Sequence, residues 1–295
     1  MTLTTKDVIR KIRKVDLKTG LLVDGIISGN YHSVFKGEGI EFSEIREYKL
    51  GDDVRNIDWK VSARMNKTYI KSFIEERDLR VLFVVDNSSS SLFGNTIEKK
   101  DKILELIGLL GYSAIRNNDS NGLILFGEGI EDYIPPRKGR KHLLKILSRT
   151  IQSDTESKRT NIKESLGQIS RLLKRKSIVF LISDFLDKTD FNKELRLLRK
   201  KHDVIAVRIY DMRELNIPKI GMIELEDEET GERIIIDTDD EGFLERYEKT
   251  ISDHFSRLSS SFKKNRIEEL SISTEEDVAN ALNKMFSLRK KKMVI

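Results

Sequence analysis

The chain has no cysteine, and it contains only four histidines in 295 residues. The lack of cysteine excludes disulfides, thiolate nucleophiles and cysteine-ligated zinc. The histidines are far apart, so the sequence predicts neither a catalytic triad nor a histidine metal cluster. They are His32, His142, His202 and His254.

Long apolar runs are also missing. The stretch 178–182 is typical of the longest runs, and it is far too short to cross a bilayer. The first twenty residues carry charges throughout and lack the apolar region of a secretory signal. We therefore expect a cytoplasmic protein with no transmembrane segment, which could reach a membrane only through a partner.

Charges of both signs are nearly balanced. The chain contains 54 lysines and arginines and 49 acidic residues, which gives a net charge of +5. Such a balance indicates paired or solvated charges. A nucleic-acid binder usually shows basic stripes with exposed aromatic residues. The sequence has no such stripe, so we expect no nucleic-acid partner.

The pattern of apolar residues predicts two regions. Residues 1–78 contain a helix followed by a glycine-punctuated stretch, which predicts a small N-terminal α+β module. Residues 79–290 alternate apolar strands with amphipathic helices, with a β-hairpin insertion at about 211–240. We therefore predict an α/β fold, a doubly wound and mostly parallel Rossmann-like sheet. The predicted strands are 81–86, 122–126, 177–183, 204–210 and 268–272.

Oxygen-bearing side chains cluster where the predicted strands end. Asp86 ends the apolar strand 81–86, Ser88 and Ser90 follow it, and Asp184 follows the strand that ends at 183. Thr160 lies just before a predicted helix. Loops at the carboxyl ends of parallel strands meet at one edge of the sheet. Since Mg²⁺ prefers hard oxygen ligands, these five residues predict a site for Mg²⁺ (or Mn²⁺).

Two alternatives remain open. Serine, threonine and aspartate in such positions also cap helices or loops, which would leave a metal-free structural scaffold. A metal-dependent hydrolase would need a base beside the ion, and the sequence offers none. Phosphatases of the haloacid dehalogenase type carry a second aspartate where this chain has Ser88, and the chain has no P-loop. We therefore expect a protein that is not an enzyme.

The five residues resemble the metal-ion-dependent adhesion site of von Willebrand factor A domains. Asp86, Ser88, Ser90, Thr160 and Asp184 match its Asp-x-Ser-x-Ser element, its threonine and its later aspartate. The resemblance implies that Ser88, Ser90 and Thr160 bind the ion directly while the aspartates act mainly through water. It also implies that a carboxylate of a partner protein completes the coordination. The same resemblance implies a short antiparallel edge strand at 129–134.

Upstream motifs resemble the bacterial family called domain of unknown function 58. They are Gly37-Glu38-Gly39, Arg46-Glu47-Tyr48, the stretch from Gly51 to Trp59 and Ser62-Ala63-Arg64. The resemblance implies an adaptor that assists a MoxR-type AAA+ ATPase and its client in complex assembly or stress tolerance. In this module we expect Arg46, Arg55 and Arg64 to pair with Asp52, Asp53 and Asp58. We also expect Trp59 to be a core anchor.

Overall fold

The computed structural model describes residues 5–22, 28–35, 40–75, 79–88, 99–153, 160–187, 189–226 and 233–294. Its contacts divide the chain into two units. Unit 1 comprises residues 1–34 and 80–295, and unit 2 comprises residues 35–79. The predicted N-terminal module began at residue 1, whereas the first two helices group with the sheet instead.

Unit 1 contains most of the secondary structure. Its helices are α1 (Thr5–Leu22), α2 (Ser28–Val34), α4 (Lys99–Arg116), α5 (Arg140–Gln152), α6 (Ile162–Leu172), α7 (Asn192–Lys201), α8 (Met212–Leu215), α9 (Glu241–Lys264) and α10 (Val278–Val294). Its strands are β3 (Arg80–Asp86), β4 (Ser120–Phe126), β5 (Ile130–Arg137), β6 (Ile178–Ser183), β7 (Asp203–Tyr210), β8 (Met222–Glu226), β9 (Arg233–Asp237) and β10 (Glu268–Ser273).

Six of these strands form one sheet in the order β10-β7-β6-β3-β4-β5. All neighbouring pairs are parallel except β4 and β5, which are antiparallel. The strands β3, β4 and β6 are buried almost throughout, as expected for a sheet covered on both faces. The predicted mixed α/β fold with its antiparallel edge strand is confirmed.

Helices cover both faces of this sheet. On one face, α6, α7 and α9 pack against alternate residues of the central strands, such as Leu82 and Val84 of β3. Helix α4 contacts β3, β4 and β7, and α1, α2, α5 and α10 pack around it. The helix α1 therefore belongs to the sheet unit because it packs on α4 and α5. No helix in the described ranges combines the length and apolar character needed to span a bilayer.

The predicted insertion is an antiparallel hairpin of β8 and β9. The sequence predicts its turn at Thr230 and Gly231, and these two residues lie outside the described ones.

The start of α10 differs from the prediction. The stretch Thr274-Glu275-Glu276-Asp277 has the capping-box pattern and predicts a helix start at Thr274, but α10 begins at Val278. The carboxylate of Asp277 accepts a hydrogen bond from the backbone N–H of Asn280 at 2.8 Å, so Asp277 caps the helix. The hydroxyl of Thr274 instead donates to Asp211 at 3.0 Å.

Unit 2 is built on the antiparallel pair of β1 (Ile40–Glu47) and β2 (Tyr69–Glu75), joined through a 3-10 turn and α3 (Trp59–Met65). Two of the expected ion pairs are present. Arg46 holds Asp52 through two hydrogen bonds of 2.8 and 2.7 Å, and Arg55 contacts Asp53 at 2.6 Å. These pairs stabilise a segment with few buried apolar side chains.

Two expectations for unit 2 were wrong. Asp58 pairs with Lys71 at 3.4 Å rather than with Arg64, because Lys71 lies on the neighbouring β2. Asp58 also caps α3, which places Trp59 at the first helical position. There the indole is 71% exposed, so Trp59 is not a core anchor.

Two glycines provide a matched test of the packing. A Cβ on Gly122 would lie 2.9 Å from the backbone oxygen of Ile134, whereas a Cβ on Gly167 in α6 meets nothing within 4 Å. We expect Gly122→Ala to lower the free energy of unfolding by about 1–3 kcal/mol. We expect Gly167→Ala to raise it by about 0.5–1 kcal/mol. Urea denaturation of both variants measures the two changes, and equal effects would contradict the close approach of β4 and β5.

Candidate metal site

The candidate site lies at the carboxyl ends of two adjacent strands. Val85 of β3 pairs with Ile182 of β6 in the parallel register, so Asp86 and Ser183 follow at neighbouring positions. Asp86 and Ser88 are buried. The described residues bring together four of the five predicted ligands: Asp86, Ser88, Thr160 and Asp184. Ser90 lies outside the described residues.

Asp86 is held from three sides. One carboxylate oxygen accepts a hydrogen bond from the backbone N–H of Ser88 at 3.1 Å and lies 3.4 Å from the hydroxyl of Thr160. The other oxygen accepts from the hydroxyl of Ser183 at 2.7 Å. The carboxylate is therefore fixed in orientation by the loop that follows it, by β6 and by the loop before α6.

The loop that carries Thr160 is fixed by its neighbours. Asn161 caps α6 by accepting from the backbone N–H of Glu164, and its own N–H donates to Gly127 after β4. The N–H of Ile162 donates to Asp187 at 2.8 Å. Since Asn161 is the helix cap, Thr160 is not needed for capping. Its hydroxyl instead faces Asp86.

Asp184 has two kinds of contact. One of its oxygens accepts from the backbone N–H of Leu186 at 3.2 Å, which is the loop-capping role considered as the alternative. The other oxygen lies 3.3 Å from the ammonium group of Lys99. Asp184 thus contributes to loop structure and also carries a charge that contacts a buried cation.

Sequence reasoning missed the residues that surround these ligands. Lys99 is only 2% exposed, and its ammonium also lies 2.5 Å from Glu214 of α8. Ser183 donates to Asp86 and accepts from the backbone N–H of Phe185. The sequence does indicate Ser183, because this residue ends a predicted buried strand at the same sheet edge as Asp86. Nothing in the sequence pairs Lys99 with Glu214, which lies 115 positions further along the chain.

The turn after β6 adopts an unusual backbone conformation. Phe185 has a φ of +57°, in the left-handed region that non-glycine residues rarely adopt. Its ring is fully buried, packs edge-on against Phe262 and therefore holds the turn in place. His254 contacts its backbone oxygen at 2.8 Å. Such over-determined strain is common at functional sites.

The electrostatics of the site favour an additional cation. Burial, and then the nearby charge of Asp184, raise the pKa of Asp86 from 3.8 to about 7. We call Asp86 and Asp184 the carboxylate pair. Within the described residues the ammonium of Lys99 contacts Asp184, and only hydroxyl and backbone donors contact Asp86. A cation near Asp86 would stabilise its ionised form.

The donor chemistry fits a small divalent ion. Two carboxylates and the hydroxyls of Ser88 and Thr160 are hard oxygen ligands of the type that Mg²⁺ prefers. The described part of the chain contains no group of three or more His, Cys, Asp and Glu side chains placed to hold a metal. Any ion here would therefore depend on hydroxyls and water for most of its shell.

Two cavities differ in their relation to this site. One of about 20 Å³, room for a single water molecule, is lined by the carboxylate pair, Lys99, Ser183 and three isoleucines. A larger groove of about 530 Å³ lies elsewhere, between α9, β10 and α10. The chemistry of the candidate site therefore lies outside this larger groove.

Comparison with known proteins identifies the family. Residues 44–257, more than half of the chain, match the family described as "Protein of unknown function DUF58". The chain belongs to the DUF58 family. The predicted family is confirmed, while the association with a MoxR-type ATPase stays a prediction.

Two relatives of this DUF58 protein are uncharacterized. It is 29% identical over 224 residues to the uncharacterized protein Rv1480 of Mycobacterium tuberculosis (strain H37Rv), covering 75% of this chain and 70% of that protein. It is 27% identical over 105 residues to the uncharacterized protein YeaD of Bacillus subtilis, covering 36% of this chain and 24% of that protein. Neither name supplies a function.

Solved structures with a similar arrangement are distant. BatB from Bacteroides thetaiotaomicron matches with 16% identity and a TM-score of 0.44, over 72% of this DUF58 chain and 99% of that one. The SpRpn10 VWA domain matches with 12% identity and a TM-score of 0.39, over 70% and 94%. The mussel byssus protein PTMP1 with a zinc-occupied MIDAS motif matches with 17% identity and a TM-score of 0.35, over 45% and 38%. At this distance no function is transferred.

The raised pKa of Asp86 gives a test in the metal-free protein. Between the ordinary pKa of 3.8 and about 7, the folded state keeps a proton that the unfolded chain has released. The free energy of unfolding therefore falls as the pH rises through this window, by about 1 kcal/mol per pH unit. It changes no further above the folded pKa. We expect Asp86→Asn to remove this slope.

Urea denaturation in EDTA at pH steps from 4 to 8 measures the difference between wild type and Asp86→Asn. Titrating groups that do not interact with Asp86 contribute equally to both proteins and cancel in the difference. Parallel pH profiles of the two proteins would show that Asp86 is not destabilised by burial.

Proposed function

We propose that this DUF58 protein is a non-enzymatic protein-interaction module that binds a partner carboxylate through a divalent metal ion. The residues assigned to Mg²⁺ or Mn²⁺ are Asp86, Ser88, Ser90, Thr160 and Asp184. The observation that carries the proposal is the convergence of four of them from three separate loops at one edge of the sheet.

The contacts support a distinct role for each residue. Asp86 is buried and its orientation is fixed by Ser183, so it would supply the central negative charge. The hydroxyls of Ser88 and Thr160 lie beside it and are uncharged ligands. When bound, the ion would supply an electrophilic coordination position, because neutral hydroxyls neutralise little of its charge. A glutamate or aspartate of another protein is the natural ligand for that position.

The partner follows from the family resemblance rather than from contacts. We propose a MoxR-type AAA+ ATPase together with its client as the partners. This chain has no P-loop sequence, so ATP hydrolysis would be performed by the partner. The carboxylate that completes the site would belong to the ATPase or to the client.

A metal-free scaffold is the second candidate, and one observation favours it. The ammonium of Lys99 already contacts Asp184 at 3.3 Å and supplies one positive charge at the site. In that case about half of the Asp86 side chains would be protonated at neutral pH, because burial and the charge of Asp184 raise the pKa of Asp86 to about 7. The two candidates differ in whether a divalent ion stabilises the fold.

Thermal unfolding with and without metal separates the two candidates. We expect millimolar MgCl₂ or MnCl₂ to raise the Tm of the wild type by several degrees, because a ligand that binds only the folded state stabilises it. The rise should disappear in Asp86→Asn, which removes the charge, and shrink in Thr160→Val, which removes one hydroxyl. Differential scanning calorimetry in EDTA and in metal measures the change.

The matched control is Thr250→Val, an exposed threonine on α9 whose hydroxyl donates to the backbone oxygen of Arg246. It should respond to metal as the wild type does. A wild type whose Tm is the same in EDTA and in metal would favour the scaffold.

Partner binding can be tested with the purified MoxR-type ATPase of the same organism. We expect a complex in Mg²⁺ that is lost in EDTA and in Thr160→Val, since the partner carboxylate needs the ion. Size-exclusion chromatography or surface plasmon resonance measures it, with Thr250→Val as the control. A complex of equal strength in EDTA would contradict metal-mediated docking, although it would support the ATPase as a partner.

A further inference from the structure

A buried lysine contacts one of the proposed metal ligands. Lys99 is the first described residue of α4, and its side chain is 2% exposed. Its ammonium lies 2.5 Å from a carboxylate oxygen of Glu214 and 3.3 Å from one of Asp184. A lysine is almost never buried to this extent unless it is paired, so these contacts hold it in place.

The lysine is charged in this environment. Burial opposes the ammonium form, but the carboxylates of Asp184 and Glu214 outweigh burial and raise the pKa of Lys99 above its usual value. A permanent positive charge therefore lies against Asp184. Like charges repel, so this ammonium opposes any metal ion that Asp184 helps to bind.

Glu214 is anchored separately from the candidate site. Its second carboxylate oxygen accepts from the backbone N–H of Asp211 at 3.1 Å, as part of the capping box of α8. Its backbone oxygen accepts from the hydroxyl of Tyr247 on α9 at 2.8 Å. Glu214 is thus a fixed carboxylate at the shorter of the two distances to Lys99, and it can retain the ammonium if Asp184 turns away.

The neighbouring charges leave the lysine with no other acidic partner among the described residues. Asp211 forms an ion pair with Arg213 at 2.8 Å and accepts a hydrogen bond from the hydroxyl of Thr274. The carboxylates in contact with Lys99 are therefore those of Asp184 and Glu214, and Arg208 and Arg213 also interact electrostatically with Glu214.

We propose that Lys99 competes with the metal ion for Asp184, and that Glu214 receives the ammonium when Asp184 takes part in metal binding. This rests on the proposed function, since it concerns the affinity of the same site. Lys99 thereby sets the affinity: it weakens metal binding, and Glu214 limits that weakening. The two residues are positioning residues that act on the ion through charge.

The proposal predicts opposite effects of two substitutions. Lys99→Met keeps the length and the apolar stem but removes the charge, so metal should bind about 10-fold more tightly or better. Glu214→Gln keeps the shape but leaves the ammonium with Asp184 alone, so metal should bind about 10-fold more weakly. A residue that served only the fold would not shift affinity in opposite directions.

The matched control is Lys102→Met. Lys102 is a second buried lysine on α4, and its ammonium contacts the backbone oxygen of Glu276 rather than a carboxylate of the site. Its substitution should leave the metal affinity unchanged. Isothermal titration of MnCl₂ into EDTA-treated and dialysed protein, at fixed pH and ionic strength, gives the affinity of each variant. Circular dichroism verifies that each variant is folded, and Glu214→Gln carries the test if Lys99→Met does not fold.

The outcomes separate this proposal from the proposed function. Tighter binding in Lys99→Met with weaker binding in Glu214→Gln supports it. Binding that is undetectable in the wild type but measurable in Lys99→Met also supports it. A wild type that binds Mn²⁺ with an affinity that neither substitution changes overturns the proposal and leaves the metal site standing. A failure of both the wild type and Lys99→Met to bind overturns both.

Discussion

The burial of like charges at the end of β3 and β6 is the constraint on which the site depends. Asp86 ends β3 and Asp184 follows β6, two adjacent strands of a sheet that is covered on both faces, so water cannot fully solvate them. The neighbouring contacts partly replace the missing water. The hydroxyl of Ser183 and a loop N–H donate to Asp86, while an ammonium and another loop N–H contact Asp184. The fold brings the carboxylate pair together, and the buried pair requires the polar residues that contact it.

Local sequence patterns predicted the sheet and most of its helices, because central strands such as β3 and β6 are compact apolar runs and helices such as α6 have one apolar face. The same patterns predicted that Asp86, Thr160 and Asp184 would meet, since the carboxyl ends of parallel strands share one edge. They failed where a tertiary contact decides the outcome. No pattern in the sequence of α1 indicates that it packs on α4. The strand β1 was not predicted because it lies in a stretch with many glycines.

The missed residues at the site have a common physical reason. Lysine is read from sequence as a surface residue, and only a pair of carboxylates supplied by distant elements makes its burial favourable. Glu214 belongs to a four-residue helix that no periodicity can reveal. Trp59 shows the reverse error: its size favoured burial, but its place at the start of α3, fixed by the Asp58 cap, left it 71% exposed.

The side chain of Glu214 meets two geometric demands at once. One oxygen closes the first turn of α8 while the other meets the ammonium on α4. Shortening it to aspartate would withdraw both oxygens by one methylene, so a single carboxylate of the same charge could not satisfy both partners. Side-chain reach, and not only charge, thus restricts which acidic residue can stand at this position.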